Sequence, residues 1–256
     1  MLNHAPPTSE TIEVLQRRVS VRDFADRPVD DATVDAVLKA AFRAPTSSNI
    51  QAYSVIIVRD PDVKAKLAPI TGGQKHVIST PVFLAFCADL TRMENAFQRH
   101  GHTIADNNLE CGLVSSIDAA LVGMSAYLAA ESLGLKGVMI GAVRNDAVKT
   151  AEVLGLPHRV YCVFGMCLGW PGKVPPQKPR IEYPGMIHYE QYGNQGDSSD
   201  KTAVINRYDA DLGAHYTSRG IPTTPNSWTN EIDKKFSNAP RPGLRAQLAQ
   251  LGFDFK

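Results

Sequence analysis

The chain has 256 residues, 43% of them hydrophobic, and its 27 Lys and Arg residues nearly balance 26 Asp and Glu residues, giving a net charge of +1. This size is sufficient for one large domain with its own core. The near-neutral charge argues against bulk nucleic-acid binding, which usually needs a basic excess. The sequence contains no uninterrupted run of 18 apolar residues, so we expect no membrane span. The polar N-terminal segment lacks the apolar central region of a signal peptide, so we expect a cytoplasmic protein.

The four cysteines and seven histidines show neither C-x-x-C nor H-E-x-x-H spacing, so we expect no metal site. Cys87, Cys162 and Cys167 lie in strongly apolar runs. Such positions favour small buried thiols in a reducing compartment over disulfides.

The first half of the chain alternates helices and strands. Hydrophobic spacing and capping residues predict helices over residues 9–18 and 31–44. Continuous apolar runs predict buried strands over 54–58 and 82–88, with a short helix over 62–67 between them.

A long helix is predicted over residues 112–133, followed by strands over 136–143 and 159–168 with a helix over 147–154 between them. The long helix is apolar nearly all round. Deep burial is therefore expected, either in the core of one subunit or at a subunit interface.

The composition changes after residue 170. Residues 171–200 are rich in Pro, Gly and polar side chains, which predicts an extended arm. Helices are expected over 202–216 and 242–251, and a mobile loop over 220–226. Alternating strands and helices first suggest a dinucleotide-binding fold, but the sequence has no G-x-G-x-x-G, no Walker A motif and no G-x-S-x-G nucleophile elbow. Any phosphate must then be bound by side chains.

A basic segment near the N-terminus offers such side chains. Residues two apart in an extended segment share a face, so Val19 and Val21 would face an apolar layer while Arg18, Ser20 and Arg22 line the other side. Two guanidinium groups and a hydroxyl suit a phosphate monoester. A solvated basic turn is the alternative for this segment taken alone.

A second basic pair, Lys178 and Arg180, lies far along the chain. Three further elements suit a planar ring. Hydroxyls and amides that can bond a polyol and a pyrimidine-like edge follow Pro45, at Ser47, Ser48, Asn49 and Gln51. Two glycines precede Gln74 and Lys75. Gly141 lies at the end of a predicted strand, between Ile140 and Ala142, and leaves room for a ring. A helix-ending turn and a plain loop are the alternatives for the first two.

These pieces resemble the FMN-dependent nitroreductase family, in particular its NADPH-linked, oxygen-insensitive nitroreductase and flavin reductase branch. The resemblance runs from about Thr11 to the C-terminal helix. Its most specific stretches are 71–77, 86–89, 130–135, 165–171 and 178–180.

The resemblance implies an α+β fold with a central mixed, mainly antiparallel sheet flanked by helices, and a C-terminal arm wrapping the partner subunit. Residues 1–256 would form a single FMN-binding domain, with 171–256 as a C-terminal extension carrying excursion helices. A homodimer with two FMN sites at its interface is expected.

The resemblance also implies residue roles. Arg219 would bind the 2′-phosphate of NADPH. The FMN contacts would come from Arg18, Ser20, Arg22, Ser47, Ser48, Asn49, Gln51, Gln74, Lys75, Ile140, Gly141, Ala142, Lys178 and Arg180, with the loop at Ser47–Gln51 reaching FMN from the other subunit.

The implied activity is ping-pong hydride transfer from NADPH, or NADH, to FMN N5 and then to nitroaromatics, quinones, flavins or similar small acceptors. No side chain is assigned as a catalytic acid or base. Three alternatives remain open: a non-catalytic flavin-holding protein, a flavin-dependent dehalogenase or flavin-cleaving enzyme, and a cofactor-free interaction module.

Overall fold

The computed structural model describes residues 7–104, 109–194, 200–224 and 227–255. The chain divides into two compact units, one formed by residues 1–175 with 241–256 and the other by residues 176–240. The last helix of the chain thus belongs to the first unit.

The first unit contains eight α-helices and four β-strands within the described ranges. The strands are β1 (Tyr53–Val58), β2 (Val82–Asp89), β3 (Lys136–Ile140) and β4 (Val160–Gly169). The helices are α1 (Glu10–Gln16), α2 (Asp31–Ala41), α3 (Pro61–Ile70), α4 (Lys75–Ser79), α5 (Thr91–Gln98), α6 (Leu109–Ser132), α7 (Ala147–Leu154) and α10 (Leu244–Gln250).

The four strands form one sheet in the order β1-β2-β4-β3, and all three pairings are antiparallel. Every residue of β2 is buried, so β2 lies at the centre of the core, whereas β1 and β3 are the two edges of the sheet. The predicted α+β class is confirmed. The expected mixed pairing is corrected to an antiparallel one for the strands that the structure describes.

Capping residues fix several helix starts as predicted. The Asp30 carboxylate accepts a hydrogen bond from the Thr33 amide at 2.6 Å, and Ser9 caps α1 in the same way. Several boundaries differ from the sequence prediction by up to three residues. Strand β3 ends at Ile140 rather than at Val143 because residues 141–146 form a 3₁₀ turn. Helix α3 continues through Pro69 to Ile70.

Helices α4, α5 and α9 (Ser227–Phe236) are absent from the sequence prediction. Helix α4 has only five residues, too few to show a helical period. The other two are mainly polar and largely exposed. Each has only a few apolar residues and buries none of them fully, so it lacks the wide apolar face that marks a core-facing helix.

Helix α6 has two faces of different character. One face packs on the sheet and on α2, within a core cluster that includes Ala119, Val122, Ala126 and Tyr127. The opposite face is exposed in the single chain and carries an apolar row at Leu113 (47%), Ile117 (55%), Leu121 (38%) and Met124 (36%). The expected deep burial therefore holds for one face only.

By length and composition alone, α6 would also be apolar enough to cross a membrane. Ser115, Asp118 and Glu131 are nevertheless buried on its sheet-facing side. Polar groups placed in this way are what a core helix of a globular protein contains, and such a helix passes the same composition test.

All four cysteines are free, and Cys87, Cys162 and Cys167 are buried. Cys87 and Cys162 lie opposite each other on β2 and β4. A hydrogen bond with Cys162 and burial raise the pKa of the Cys87 thiol well above its ordinary value. Burial raises the pKa of Cys167 to about 12. The predicted buried thiols are confirmed at these three positions.

The second unit is built on α8 (Lys201–Thr217) and α9. The buried carboxylate of Asp209 accepts hydrogen bonds from the backbone amides of Trp228 (2.6 Å) and Thr229 (3.0 Å), so α8 caps the start of α9. The predicted arm over 171–200 and the predicted loop over 220–226 each include positions outside the described residues, at 195–199 and 225–226.

Candidate functional site

The basic segment alternates as the sequence predicts. Val19 and Val21 are 8% and 0% exposed, whereas Arg18 and Ser20 are half-buried and Arg22 is exposed. The Val21 amide donates to the Gly137 carbonyl oxygen at 3.0 Å. The segment therefore runs beside β3, with its two valines in the core.

Arg18 rests on a buried polar cluster of α6. Its guanidinium carbon lies 5.4 Å from the centroid of the Tyr127 ring. The Tyr127 hydroxyl donates to the carbonyl oxygens of Val19 (2.8 Å) and Gly137 (3.2 Å), which ties the segment to β3. Burial raises the pKa of Tyr127, so this hydroxyl stays protonated and remains a donor.

One turn further along α6, the buried Glu131 carboxylate pairs with the Lys136 ammonium group at the start of β3. The side chains of Glu131 and Lys136 are 1% and 16% exposed. This ion pair fixes the end of α6 against the strand that the basic segment follows.

Arg22 faces the short helix α4. Burial, and then the charge of Arg22, lower the pKa of His76, so the imidazole is neutral at pH 7. The His76 Nε2 atom is buried and has no hydrogen-bond partner among the described residues. A ring nitrogen next to an arginine, with no partner of its own, fits a polar ligand edge that would complete it.

The turn before α4 is open on one side. Gly72 and Gly73 have φ of 79° and 72°, and no described atom lies within 4 Å of where a Cβ would sit at either position. Gln74 bonds the Thr71 carbonyl oxygen through Nε2 at 2.8 Å, and Lys75 is exposed at the start of α4. The backbone of this turn is accessible to a planar ligand.

The same turn lies next to the end of β3. The Asn145 side-chain amide donates to the Ile70 carbonyl oxygen at 3.1 Å and so connects the 3₁₀ turn after β3 to the end of α3. Ile140 is buried, whereas Gly141 and Ala142 are half-buried. The structure thus brings the basic segment, the Gln74–Lys75 turn and the Gly141 region together around β3.

The loop Ser47–Gln51 lies elsewhere. It leads into β1, the opposite edge of the sheet, where the Asp118 carboxylate of α6 accepts its Ser47 amide at 3.0 Å. Three strand spacings separate the two edges by about 14 Å. On α6, Asp118 and Tyr127 are likewise about 14 Å apart at a rise of about 1.5 Å per residue. One chain therefore does not bring this loop onto the basic segment.

The remaining predicted residues belong to the second unit. Lys178 is exposed and donates to the Tyr216 hydroxyl at 2.7 Å, and Tyr216 donates to Glu231 at 2.8 Å. Arg180 is exposed and bonds the Pro179 carbonyl oxygen at 3.0 Å. Arg219 is exposed just after α8.

Three side chains of the site were not anticipated from the sequence as functional: His76, Asp118 and Tyr127. Asp118 and Tyr127 could have been noticed in the sequence, because each places a polar group on the inner face of an otherwise apolar helix. His76 lies within a stretch that carried the family resemblance, but its unpartnered nitrogen depends on tertiary packing.

Comparison with known proteins agrees with this architecture. Residues 15–170 match the model of the nitroreductase family, and residues 178–256 match that of the nitroreductase family, C-terminal domain.

Two curated relatives are similar over nearly their whole length. The oxygen-insensitive NADPH nitroreductase of Salmonella typhimurium is 38% identical over 96% of this chain and 98% of its own. The FMN reductase (NADPH) of Bacillus subtilis is 34% identical over 96% of this chain and 99% of its own.

The solved structure of B. megaterium NfrA2 superposes with a TM-score of 0.91 and 31% identity, covering 97% of this chain and all of the other. The chain therefore belongs to the nitroreductase family.

Proposed function

We propose that the protein is an FMN-dependent oxidoreductase that uses NADPH or NADH to reduce nitroaromatics, quinones, flavins or similar small acceptors. The enzyme class and cofactors predicted from the sequence agree with the family and with the two curated relatives. The observation that carries the proposal is the convergence of the basic segment, the open glycine turn and His76 around β3.

The residues around β3 fit FMN chemically. Arg18 and Ser20 supply charge-assisted and neutral donors for a phosphate. The open turn at Gly72–Gly73 and the unpartnered His76 Nε2 suit a flat ring with a polar edge. Gln74 and the Gly141 backbone are placed to bond that edge.

The chemistry that bound FMN supplies is acceptance of a hydride at N5 from NAD(P)H, followed by two-electron reduction of the acceptor. The chain's own contribution is electrostatic. Arg22 and Lys75 would stabilise the negative charge that develops on the pyrimidine side of the ring. No side chain is assigned as acid or base, because solvent supplies the protons.

Arg18 and Ser20 are proposed as ligands of the FMN phosphate, and so are Lys178 and Arg180. Each cation presents its charge from an element that fixes it locally: Arg18 over the Tyr127 ring, Lys178 at the Tyr216 hydroxyl. Removal of Arg18, or of Lys178 and Arg180, would then weaken FMN but not riboflavin binding.

The proposed assembly is a homodimer in which the loop Ser47–Gln51 serves the FMN of the other subunit. Two observations support it. The loop and the basic segment lie beside opposite edges of the sheet, which are about 14 Å apart in one chain, and the exposed apolar row of α6 at Leu113, Ile117, Leu121 and Met124 has the pattern of an interface that a second copy would cover. A cytoplasmic location is part of the proposal, and the four free thiols suit a reducing compartment.

Arg219 is proposed to bind the 2′-phosphate of NADPH. Its exposed position after α8 leaves the guanidinium free to meet a phosphate. Arg219→Ala should raise KM for NADPH several-fold more than KM for NADH. Equal KM changes for the two would remove Arg219 from cofactor selection.

The test of the whole proposal is the absorbance spectrum of the purified protein, followed by anaerobic NADPH and then an acceptor. We expect a flavin spectrum that bleaches with NADPH and recovers with a quinone or nitroaromatic. Bound FMN without acceptor-dependent turnover would favour a flavin-holding protein. Halide or a cleaved ring among the products would favour the other enzyme chemistries, and a colourless protein that ignores FMN would favour an interaction module.

A further inference from the structure

The loop Ser47–Gln51 concentrates backbone strain. Ser48, Asn49 and Gln51 have φ of 45°, 57° and 54°, and they make up three of the six non-glycine residues with positive φ in the described chain. This conformation costs serine or glutamine about 1–2 kcal/mol relative to a right-handed one, and asparagine less. A loop this unfavourable persists only where its surroundings determine it, which points to a role for the shape itself.

Asp118 determines that shape from inside the protein. The residue is 0% exposed on the inner face of α6. One carboxylate oxygen accepts the Ser47 amide at 3.0 Å, and the other accepts the Ala52 amide at 3.1 Å. A single buried carboxylate thus holds both ends of the loop, and a buried charge is tolerated here because both its oxygens are hydrogen-bonded.

Arg92 of α5 holds the same segment through its carbonyl groups. Its guanidinium donates to the carbonyl oxygens of Gln51 (3.2 Å) and Tyr53. The Asp89 carboxylate in turn binds Arg92 at 3.2 Å. The backbone amides of the segment therefore donate to the Asp118 carboxylate, and its carbonyl oxygens accept from the Arg92 guanidinium.

We propose that Asp118 is a positioning residue for flavin binding. Its carboxylate holds the loop in the left-handed conformation that presents the side chains of Ser48, Asn49 and Gln51 away from their own core and toward the ring and ribityl chain. This inference rests on the proposed function. It adds that a residue with no expected flavin contact sets flavin affinity through the loop.

The conservative substitution Asp118→Asn tests the inference, because an amide can accept only one of the two bonds and turns a donor toward the other. We expect hydrogen exchange at the Ser47 and Ala52 amides of the apo protein to rise about tenfold. The dissociation constants for FMN and riboflavin should rise together by about the same factor, the size of one lost charge-assisted bond.

Asp209→Asn is the matched control. Asp209 is also a buried carboxylate at a helix start, in the second unit; one of its oxygens accepts the Trp228 and Thr229 amides and the other accepts the Thr229 hydroxyl. The substitution should remove a buried charge while leaving exchange at Ser47 and Ala52 at the wild-type rate. A merely structural role of Asp118 would raise exchange at the two amides but leave the dissociation constants for both flavins at the wild-type values.

A second pair of variants works if Asp118→Asn does not fold. Ser47→Pro removes the amide donor at the first residue of a 3₁₀ turn, a position that accepts proline. Ser47→Ala keeps that amide and loses only the hydroxyl. Faster exchange at Ala52 and weaker flavin binding in Ser47→Pro than in Ser47→Ala would support the inference.

The outcomes separate the two proposals. Wild-type protein that binds no flavin contradicts the proposed function. Wild-type protein that binds flavin, with Asp118→Asn or Ser47→Pro binding both flavins as tightly as their controls, overturns only the positioning role. A loss confined to FMN would also overturn it, since the loop would then act on the phosphate.

Discussion

The basic segment beside β3 and the loop Ser47–Gln51 beside β1 both carry proposed flavin contacts, but they present their polar groups by different means. The basic segment presents charge from an extended backbone, with alternate valines in the core. The loop presents neutral amides and hydroxyls from a strained backbone, and the charges that hold it, on Asp118 and Arg92, lie behind it. Under the proposed function, charge binds an anion directly in the first region, whereas in the second region it acts indirectly by shaping a polar surface.

The largest expected effect comes from the ion pair that supports the basic region. Lys136→Met leaves Glu131 buried without its partner, which should reduce the free energy of unfolding by about 3–5 kcal/mol. Denaturant unfolding measures this. The control is Lys39→Met, since Lys39 pairs with Asp35 on the surface and that pair contributes about 0.5 kcal/mol at most. A cost for Lys136→Met no greater than the control would show that the pair does not support this region.

The direct use of charge is tested at Arg18. Arg18→Ala should weaken FMN binding by about 1.5–3 kcal/mol, roughly ten- to a hundredfold, and leave riboflavin affinity nearly unchanged. Titration of the apo protein with each flavin gives the two constants. Arg17→Ala is the neighbouring control, because Arg17 is exposed at the end of α1. Equal losses for FMN and riboflavin would place Arg18 away from the phosphate.

The indirect use of charge predicts a pH dependence at the β1 edge. Burial alone would raise the pKa of Asp89, but hydrogen bonds from Ser54 and Thr91 and the charge of Arg92 outweigh it and hold the pKa below its ordinary value of 3.8. The unfolded chain then binds the proton more readily. The stabilisation is therefore complete above the ordinary value and is lost as the pH falls through the folded pKa.

Asp89→Asn should accordingly cost about 1–3 kcal/mol at pH 7 and less at the lowest pH below 3.8 at which the protein stays folded, as measured by urea unfolding at both values. Asp35→Asn, on an exposed carboxylate, is the control and should change little at either pH. A cost for Asp89→Asn that is the same at both pH values would mean that Asp89 acts through packing rather than through its charge.

The smallest effect concerns backbone shape alone. Ser48→Gly should stabilise the apo protein by about 0.5–1 kcal/mol, because glycine adopts a φ of 45° without strain. Ser20→Gly in the basic segment should destabilise by a similar amount, since an extended backbone gains nothing from glycine. Thermal unfolding of both variants gives the signs. The same sign for both would indicate that the strain at Ser48 does not affect stability.

The two regions also differ in how much of them could be predicted. Alternation of Val19 and Val21 with Arg18 and Ser20 is a local pattern, so the sequence predicted the basic segment and its faces. The family resemblance predicted the fold class. The conformation of Ser47–Gln51 depends on Asp118, a residue far away in the chain, and no local pattern reports that contact. Short or polar helices such as α4 and α9 were not predicted for a related reason: they bury few apolar residues, so their sequences show no clear hydrophobic period.

The thiols on the central strands have a consequence if quinones are among the acceptors, as proposed. Quinones are electrophiles, and it is the thiolate form of cysteine that they arylate. The raised pKa values of Cys87 and Cys167 keep these sulfurs protonated near neutral pH, and burial keeps reagents away from them. Cys111 on α6 is the partly exposed thiol. We therefore expect covalent inactivation during turnover to be slow and, where adducts form, to find them at Cys111.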